Sequence, residues 1–205
     1  MKVHFKGTRG SIPIAPSSQI ISEKVVECLL AARGKDLRSE GQIRSFVEKE
    51  LPFHIGHTYG GNTSCVHIET GSDDYLIFDG GSGLYPLGQE IVGNQISGKT
   101  FHIFFSHLHY DHIQGIPFFG PGSNPDNQII VHGSHKTIEK ALEDQMHAPF
   151  FPVTFDTFKA KISFETHAPG DIVSVCDSKI SIHEQNHPGV SYGYRIDQGE
   201  KYSVY

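Results

Sequence analysis

Two apolar runs in the middle of the chain constrain its fold most. Residues 75–78 read YLIF and residues 101–105 read FHIFF, so His102 is the only residue with a strongly polar side chain in either run. A strand with one face in water alternates polar and apolar residues, whereas strands covered on both faces are apolar throughout. The sequence therefore predicts a central sheet with further layers on both sides.

Shorter runs before and after this pair are also typical of strands, because they alternate and are bounded by turn residues. The segment between residues 79 and 99, rich in glycine, is predicted to connect strands. The predicted outer strands are KVHFKG (2–7), TSCVHIET (63–70), KISFET (161–166), DIVSVCDSKISIHEQ (171–185), SYGYRID (191–197) and KYSVY (201–205).

Helical spacing of apolar residues predicts two helices after the first strand. One begins at Ser22, stops at Gly34 and carries Val25 and Leu29 on one face. The second is capped by Ser39, with Gln42 three residues on as in a capping box. We expect a helical hairpin of about residues 21–51, and a third helix with Ile138, Ala141, Leu142 and Met146 aligned.

Sheets with intervening helices predict an α/β or α+β sandwich, which we expect to form a single domain over residues 1–205. No run approaches the roughly 18 apolar residues that span a bilayer, so we expect a soluble, cytoplasmic protein without a membrane partner. The net charge of -6 disfavours attraction to a polyanion. The three cysteines are far apart and indicate neither a disulfide framework nor a thiolate zinc site.

The stretch SHLHYDH (106–112) follows the second apolar run directly. Residues two apart in extended backbone point the same way, so His107 and His109 can converge on one ion. Asp111 and His112 point elsewhere and can serve a second ion. Imidazole and carboxylate ligands without cysteine suit a catalytic site for two divalent metal ions, Zn²⁺ with Mn²⁺ or Fe²⁺ left open. Two such ions can share a hydroxide and clamp a phosphoester or acyl centre.

SHLHYDHIQGIPFF resembles the signature of the metallo-β-lactamase superfamily, most closely the branch of ribonuclease Z and related phosphodiesterases. GTRGSIP, YGGNTSCV, FDGGSG and NHPGVSYGYRI occur in the matching order, so the resemblance covers nearly the whole chain. It implies a four-layer αββα sandwich with a dinuclear metal site at one edge of the paired sheets.

The resemblance also assigns roles to residues. It implies that His107, His109 and His187 bind the first metal, and that Asp111 and His112 bind the second. Asp111 is also expected to orient or deprotonate the nucleophilic water. The remaining implied residue is Asp79, a buried carboxylate that steers a ligand histidine without touching metal. Gly80 replaces the alanine of many relatives, a difference that we expect to be harmless.

One departure from the family pattern concerns the second metal. The family has a bridging aspartate just after a strand like KYSVY and a further ligand histidine well beyond it, and this sequence stops at Tyr205. We therefore expect a fragment that lacks the C-terminal part of the second half-sandwich. An encoded acidic residue and a later histidine beyond Tyr205 would favour an enzyme, and a stop codon there would favour a non-catalytic metal-binding domain.

The other histidines fit no ligand pattern, and we expect surface or hydrogen-bonded roles for them. They are His54, His57, His132, His135, His147, His167 and His183, with His102 expected in the core. The phenylalanines of residues 150–158 could wall a pocket for a nucleobase, but packing is favoured. Asn62 and Thr63 could lie near the metals or simply shape a glycine-rich turn.

Three functions remain open from the sequence. The first is a phosphodiesterase acting on a small phosphodiester or cyclic nucleotide, and the second is hydrolysis of a thioester, lactone or amide at the same site. The third is metal binding without turnover. A nucleic-acid substrate stays open but is not favoured, because residues 21–50 hold six basic and six acidic side chains. A homodimer is the only protein assembly that we consider.

Overall fold

The computed structural model describes residues 1–205 in full. The chain divides into two compact units. One comprises Met1–Pro13 and Asn62–Tyr205, and the other is the inserted segment Ile14–Gly61. The predicted hairpin of about residues 21–51 lies within that inserted segment.

Ten strands form two sheets, both within the larger unit. The six-stranded sheet has the order β1-β2-β3-β4-β5-β6, and the four-stranded sheet has the order β10-β9-β8-β7. Strands β3 to β6 are parallel, and all other neighbours are antiparallel. The strands are β1 (Lys2–Gly7), β2 (Cys65–Glu69), β3 (Tyr75–Phe78), β4 (Thr100–Phe104), β5 (Gln128–Gly133), β6 (Lys161–Thr166), β7 (Ile172–Val175), β8 (Ser178–Gln185), β9 (Ser191–Gln198) and β10 (Lys201–Val204).

Six α-helices accompany the strands, and α1 to α3 belong to the inserted unit. Three short 3-10 turns cover residues 116–118, 120–123 and 155–157. The helices are α1 (Ser18–Ala31), α2 (Glu40–Lys49), α3 (Phe53–Gly56), α4 (Leu84–Gly93), α5 (Tyr110–Ile113) and α6 (Ile138–Asp144).

The central sheet is covered on both faces, as its apolar strands predict. On one face, Leu87 of α4 and Leu142 of α6 pack into a core with side chains of β3 to β5. On the other face, Phe78 and Phe104 pack against Tyr194 of the four-stranded sheet. Helices, sheet and sheet thus lie in successive layers, and the mixed α/β sandwich is confirmed.

Helix α4 was not predicted from the sequence, because the segment that contains it, residues 80–98, holds six glycines and a proline. Pro86 is its third residue, in the first turn, where a backbone N–H has no partner within the helix. Leu84, Leu87 and Ile91 are buried at helical spacing. That apolar spacing indicates a helix, but a proline such as Pro86 usually interrupts one.

The helices of the inserted unit differ from their predicted bounds. Helix α1 begins at Ser18, with Ser17 rather than Ser22 as its cap, and none of its residues is buried. Helix α2 has the predicted capping box of Ser39 and Gln42, but it buries only Phe46. No helix of the protein combines the length and apolar character that a membrane crossing needs.

Candidate metal centre

The candidate centre lies where neighbouring strands end. Asp79 directly follows β3, and the segment from Phe105 to His107 follows β4. Because β3 and β4 are parallel, these residues emerge side by side at one edge of the sheet. The second sheet meets them there, since the backbone N–H of Tyr192 donates to the carbonyl of Ser106 at 2.8 Å.

Three of the predicted ligands come together. One ligand atom from each of His107, His109 and His187 lies within 4.8 Å of the others. The ring centroid of His107 is 4.5 Å from that of His109 and 4.7 Å from that of His187. His107 is buried, His187 is half-buried and His109 is exposed, so this histidine triad opens toward solvent on one side.

The predicted ligands of the second metal form a separate pair beside the triad. His112 Nε2 lies 3.4 Å from Asp111 Oδ2, and the rings of His107 and His112 are 4.0 Å apart. Both residues belong to the short helix α5, which starts right after His109. The turn into α5 therefore places this pair directly beside the triad, with the ring of His112 next to that of His107.

Asp79 is fully buried and connects the two halves of the centre. Its Oδ1 accepts a hydrogen bond from the backbone N–H of Ser106 at 2.8 Å. Its Oδ2 accepts from Ser106 Oγ at 2.7 Å, from Tyr205 Oη at 2.6 Å and from His112 Nδ1. The carboxylate accepts no hydrogen bond from the triad, and its steering of a metal ligand stays a prediction.

These contacts select the tautomers of two histidines. With Nδ1–H of His112 donating to Asp79, the Nε2 of His112 carries the lone pair. Ser106 Oγ donates to Asp79 and lies 3.1 Å from His107 Nδ1, from which it can accept. The Nε2 of His107 is then also free to bind an ion.

The donor set fits divalent metal ions. His187 Nδ1 is buried and has no hydrogen-bond partner, which is costly unless another group binds it. Burial and neighbouring imidazoles lower the pKa of His107 to about 4, so its ring is neutral at physiological pH. Burial also acts to lower the pKa of His112, but the hydrogen bond and charge of Asp79 outweigh burial and raise it. Imidazole nitrogens and one carboxylate are the ligands that zinc accepts.

Three supporting residues were missed in the sequence. Ser106 precedes the motif histidine and bridges it to Asp79, and Tyr205 binds Asp79 from the end of the chain. The backbone N–H of Ser11 donates to Asp111 Oδ2 at 2.8 Å. Ser11 has a φ of 62°, a left-handed conformation that serine rarely adopts, so its type gave no signal.

The glycine-rich segments have structural partners. Thr63 Oγ1 accepts from the backbone N–H of Ser82 at 2.8 Å and from Gln114 Nε2 at 2.9 Å. Asn62 Oδ1 accepts from Ser82 Oγ at 3.2 Å. These contacts favour the turn-shaping interpretation of Asn62 and Thr63. A Cβ on Gly81 would lie 2.2 Å from the carbonyl oxygen of Asp111, so glycine there admits the metal-site helix.

The phenylalanines after α6 divide into two groups. Phe155 and Phe158 pack against the core between the central sheet and its helices. Phe150 is 79% exposed, and the ring of Phe151 meets that of Phe118 edge-on at 5.5 Å. Packing therefore accounts for Phe155 and Phe158, whereas the exposed ring of Phe150 is available to a substrate or partner.

Comparisons with known proteins identify the family of the chain. The family model described as "Beta-lactamase superfamily domain" matches residues 93–205, which include the motif and His187. Ribonuclease Z of Staphylococcus haemolyticus is 32% identical over 146 residues, 66% of this chain and 44% of the relative. Ribonuclease Z of Haloarcula marismortui is 26% identical over 147 residues, 68% of this chain and 43% of the relative. The chain thus spans less than half the length of these relatives.

Solved structures show the same fold at low identity. Zn²⁺-bound PqqB from Methylobacterium extorquens superposes with a TM-score of 0.53 at 11% identity, over 98% of this chain and 61% of PqqB. The metallo-β-lactamase fold protein YhfI from Bacillus subtilis gives a TM-score of 0.50 at 19% identity, over 72% of this chain and 55% of YhfI. The chain belongs to the metallo-β-lactamase superfamily and is similar to ribonuclease Z.

Proposed function

We propose that this chain carries the active centre of a metal-dependent hydrolase that cleaves a small phosphodiester or a cyclic nucleotide. The observation that carries the proposal is the convergence of His107, His109 and His187 beside the Asp111–His112 pair. Five nitrogen and oxygen donors at one sheet edge, open to solvent at His109, suit chemistry on a bound substrate.

The triad is assigned to one divalent ion and the Asp111–His112 pair to a second, with zinc favoured over manganese or iron. Bound there, such ions would lower the pKa of a water molecule and offset negative charge on the substrate. One histidine of each half enters this role with its ring oriented, because Ser106 contacts Nδ1 of His107 and Asp79 accepts from Nδ1 of His112.

Asp111 is assigned as the base that accepts a proton from the attacking water. One of its oxygens is held by the N–H of Ser11 and lies beside His112, so the carboxylate is oriented before a substrate binds. A positioned carboxylate can accept a proton from water within hydrogen-bond reach.

The similarity to ribonuclease Z supports phosphorus as the reacting centre, because that family acts on phosphodiesters. The net charge of -6 and the balanced charge of residues 21–50 favour a small substrate over a folded RNA. A nucleic-acid substrate remains the alternative within the same chemistry. The proposal includes the cytoplasmic location that the sequence predicts.

The same centre could hydrolyse a thioester, lactone or amide, since one metal site supports several reactions within a fold. Metal binding without turnover is the remaining alternative. The two enzymatic candidates differ in the electrophile that they attack, so a pair of chromogenic substrates separates them.

The test is hydrolysis of bis-p-nitrophenyl phosphate and of an acyl thioester by the zinc-loaded natural protein, its His109→Ala variant and a His183→Ala control. His183 is exposed and lies on β8, outside the centre. We expect phosphodiester cleavage that falls at least about 100-fold in His109→Ala and persists in His183→Ala. Turnover of the thioester alone would support the acyl alternative, and no turnover would support a binding domain.

A further inference from the structure

A second group of imidazoles lies on the inner face of strands β4 to β6, apart from the candidate metal centre. His132 of β5 pairs in register with Glu165 of β6, and His167 follows two residues later. The backbone N–H of His167 donates to the carbonyl of Gly133 at 3.0 Å, which extends the pairing of the two strands. Paired residues, and residues two apart, share one face of a sheet, so all three side chains project to the same side.

Three donor atoms of this group converge. His132 Nδ1 lies 3.0 Å from His167 Nε2 and 3.4 Å from Glu165 Oε2, and the last two atoms are 4.0 Å apart. A point equidistant from the three atoms is about 2 Å from each, the distance at which zinc binds imidazole nitrogen and carboxylate oxygen.

The ring of His132 is fixed by its surroundings. It is 1% exposed and stacks on Phe104, with centroids 4.1 Å apart and planes 5° from parallel. Its Nε2 lies 3.0 Å from His102 Nδ1. When Nε2–H of His132 donates to His102, the lone pair of His132 is on Nδ1, the atom that faces Glu165 and His167. An outer partner that fixes the tautomer in this way accompanies most histidine metal ligands.

The ring of His132 is also neutral at physiological pH. Burial, with the neighbouring imidazoles of His102 and His167, lowers its pKa to about 3. No proton therefore competes with a metal at Nδ1. Glu165 supplies the negative charge, and its side chain is 49% exposed, which leaves a path for an ion from solvent.

We propose that His132, Glu165 and His167 bind a zinc ion at a site separate from the centre at residues 107–112 and 187, with His102 as the positioning residue of His132. The ion joins β5 to β6, and solvent completes its coordination on the side of Glu165. The proposal does not depend on the hydrolase activity, because it rests on a different set of residues.

The competing arrangement is a metal-free chain of hydrogen bonds from His102 through His132 to His167. Neutral imidazoles can satisfy one another in such a chain, with one N–H between each pair of nitrogens. Zinc binding distinguishes the two, because only the metal site needs the carboxylate of Glu165 and the lone pairs of both histidines together.

The first experiment measures zinc content by mass spectrometry after dialysis against excess Zn²⁺ and removal of loosely bound ion. In a His109→Ala/His112→Ala variant, which lacks a ligand of each half of the principal centre, we expect one retained equivalent of zinc. Adding His167→Ala should abolish that equivalent, whereas adding the control His183→Ala should leave it. Absence of zinc from the double variant, or its retention after His167→Ala, would overturn the proposal.

A second variant guards against loss of folding. Glu165→Gln preserves the size of a partly exposed side chain and removes only its charge, so we expect a folded protein. In the double-variant background, its zinc affinity by competition with a chelating dye should fall at least about tenfold. Unchanged affinity would leave the hydrogen-bonded imidazole chain as the correct description.

Discussion

His112 donates from Nδ1 to the buried carboxylate of Asp79, and its other ring nitrogen lies 3.4 Å from Asp111. The same carboxylate receives the hydroxyl of Ser106, which also contacts Nδ1 of His107. One buried acid therefore orients a histidine in each half of the candidate centre. A change at Asp79 should consequently affect both halves together.

The first prediction concerns that carboxylate. Asparagine tolerates the left-handed backbone of Asp79, whose φ is 58°, so Asp79→Asn changes mainly the charge and the acceptors. Its amide would face donors from Ser106, His112 and Tyr205. We expect the free energy of unfolding of the metal-free protein to fall by about 2–4 kcal/mol and metal affinity to fall about 10- to 100-fold.

Denaturant titration measures the free energy of unfolding, and metal titration measures the affinity. The control is Asp73→Asn, at a side chain that is 97% exposed. Equal behaviour of the two variants would refute the steering role.

Two tyrosines near the end of the chain form a matched pair. Tyr205 Oη donates to Asp79 at 2.6 Å and contacts Ser64, whereas Tyr202 is 65% exposed. We expect Tyr205→Phe to lower the free energy of unfolding by about 1–2 kcal/mol, because it removes a hydrogen bond to a buried charge. Tyr202→Phe should change it by less than about 0.5 kcal/mol. Thermal and denaturant unfolding of both variants decide this, and similar losses would argue against a specific role of the Tyr205 hydroxyl.

Adjacent glycines after β3 should respond differently to alanine. At Gly80, a Cβ would meet the terminal methyl group of Ile116 at 2.9 Å, whereas at Gly81 it would meet the backbone oxygen of Asp111 at 2.2 Å. A flexible side chain can shift and a backbone carbonyl in a metal-site helix cannot. We expect Gly80→Ala to cost about 1 kcal/mol and Gly81→Ala more than about 3 kcal/mol, with loss of metal from the second variant only. Unfolding curves and metal content test the pair, and equal costs would contradict the described packing.

The pH dependence of stability provides a prediction away from the metals. Burial, with the nearby charge of His4, lowers the pKa of His67 from 6.5 to about 4. Between these values the unfolded chain binds a proton that the folded chain does not. The contribution of His67 to stability is therefore lost as pH falls through this window, by up to about 1.4 kcal/mol per pH unit.

The His67→Gln variant cannot take up that proton, so its free energy of unfolding should fall less steeply between pH 6.5 and 4. Measurements in EDTA keep metal release out of the comparison. Parallel curves for the variant and the natural protein would show that His67 titrates alike in both states.

The strands were predictable because their signals are local. The apolar runs of β3 and β4 and the alternation in β1 and β9 all appear as strands. The segment 171–185, predicted as one run, forms two strands, because Cys176 and Asp177 adopt positive φ values and make a turn. The pair Cys-Asp is not a turn signal strong enough to predict this. Helix α1 begins earlier than predicted. The sequence did not reveal this, because Ser17, Ser18 and Ser22 are equally suitable as N-caps.

The site was predictable where residues are close in sequence. Alternation predicted that His107 and His109 lie together, and the resemblance added His187; the donor atoms of all three converge, and their binding of an ion stays a prediction. Ser11 and Tyr205 could not be found this way, because they reach Asp111 and Asp79 through contacts 100 and 126 residues apart in the chain. Such contacts depend on the register of the sheets, which the sequence does not state.

The central claim is that the triad and the Asp111–His112 pair hold two divalent ions. Crystals of the zinc-loaded natural protein, measured on both sides of the zinc absorption edge, test it most directly. At the centre we predict one anomalous peak among His107, His109 and His187 and a second beside Asp111 and His112, in addition to the peak proposed at His132, Glu165 and His167. Absence of either of the first two peaks would contradict the two-ion centre.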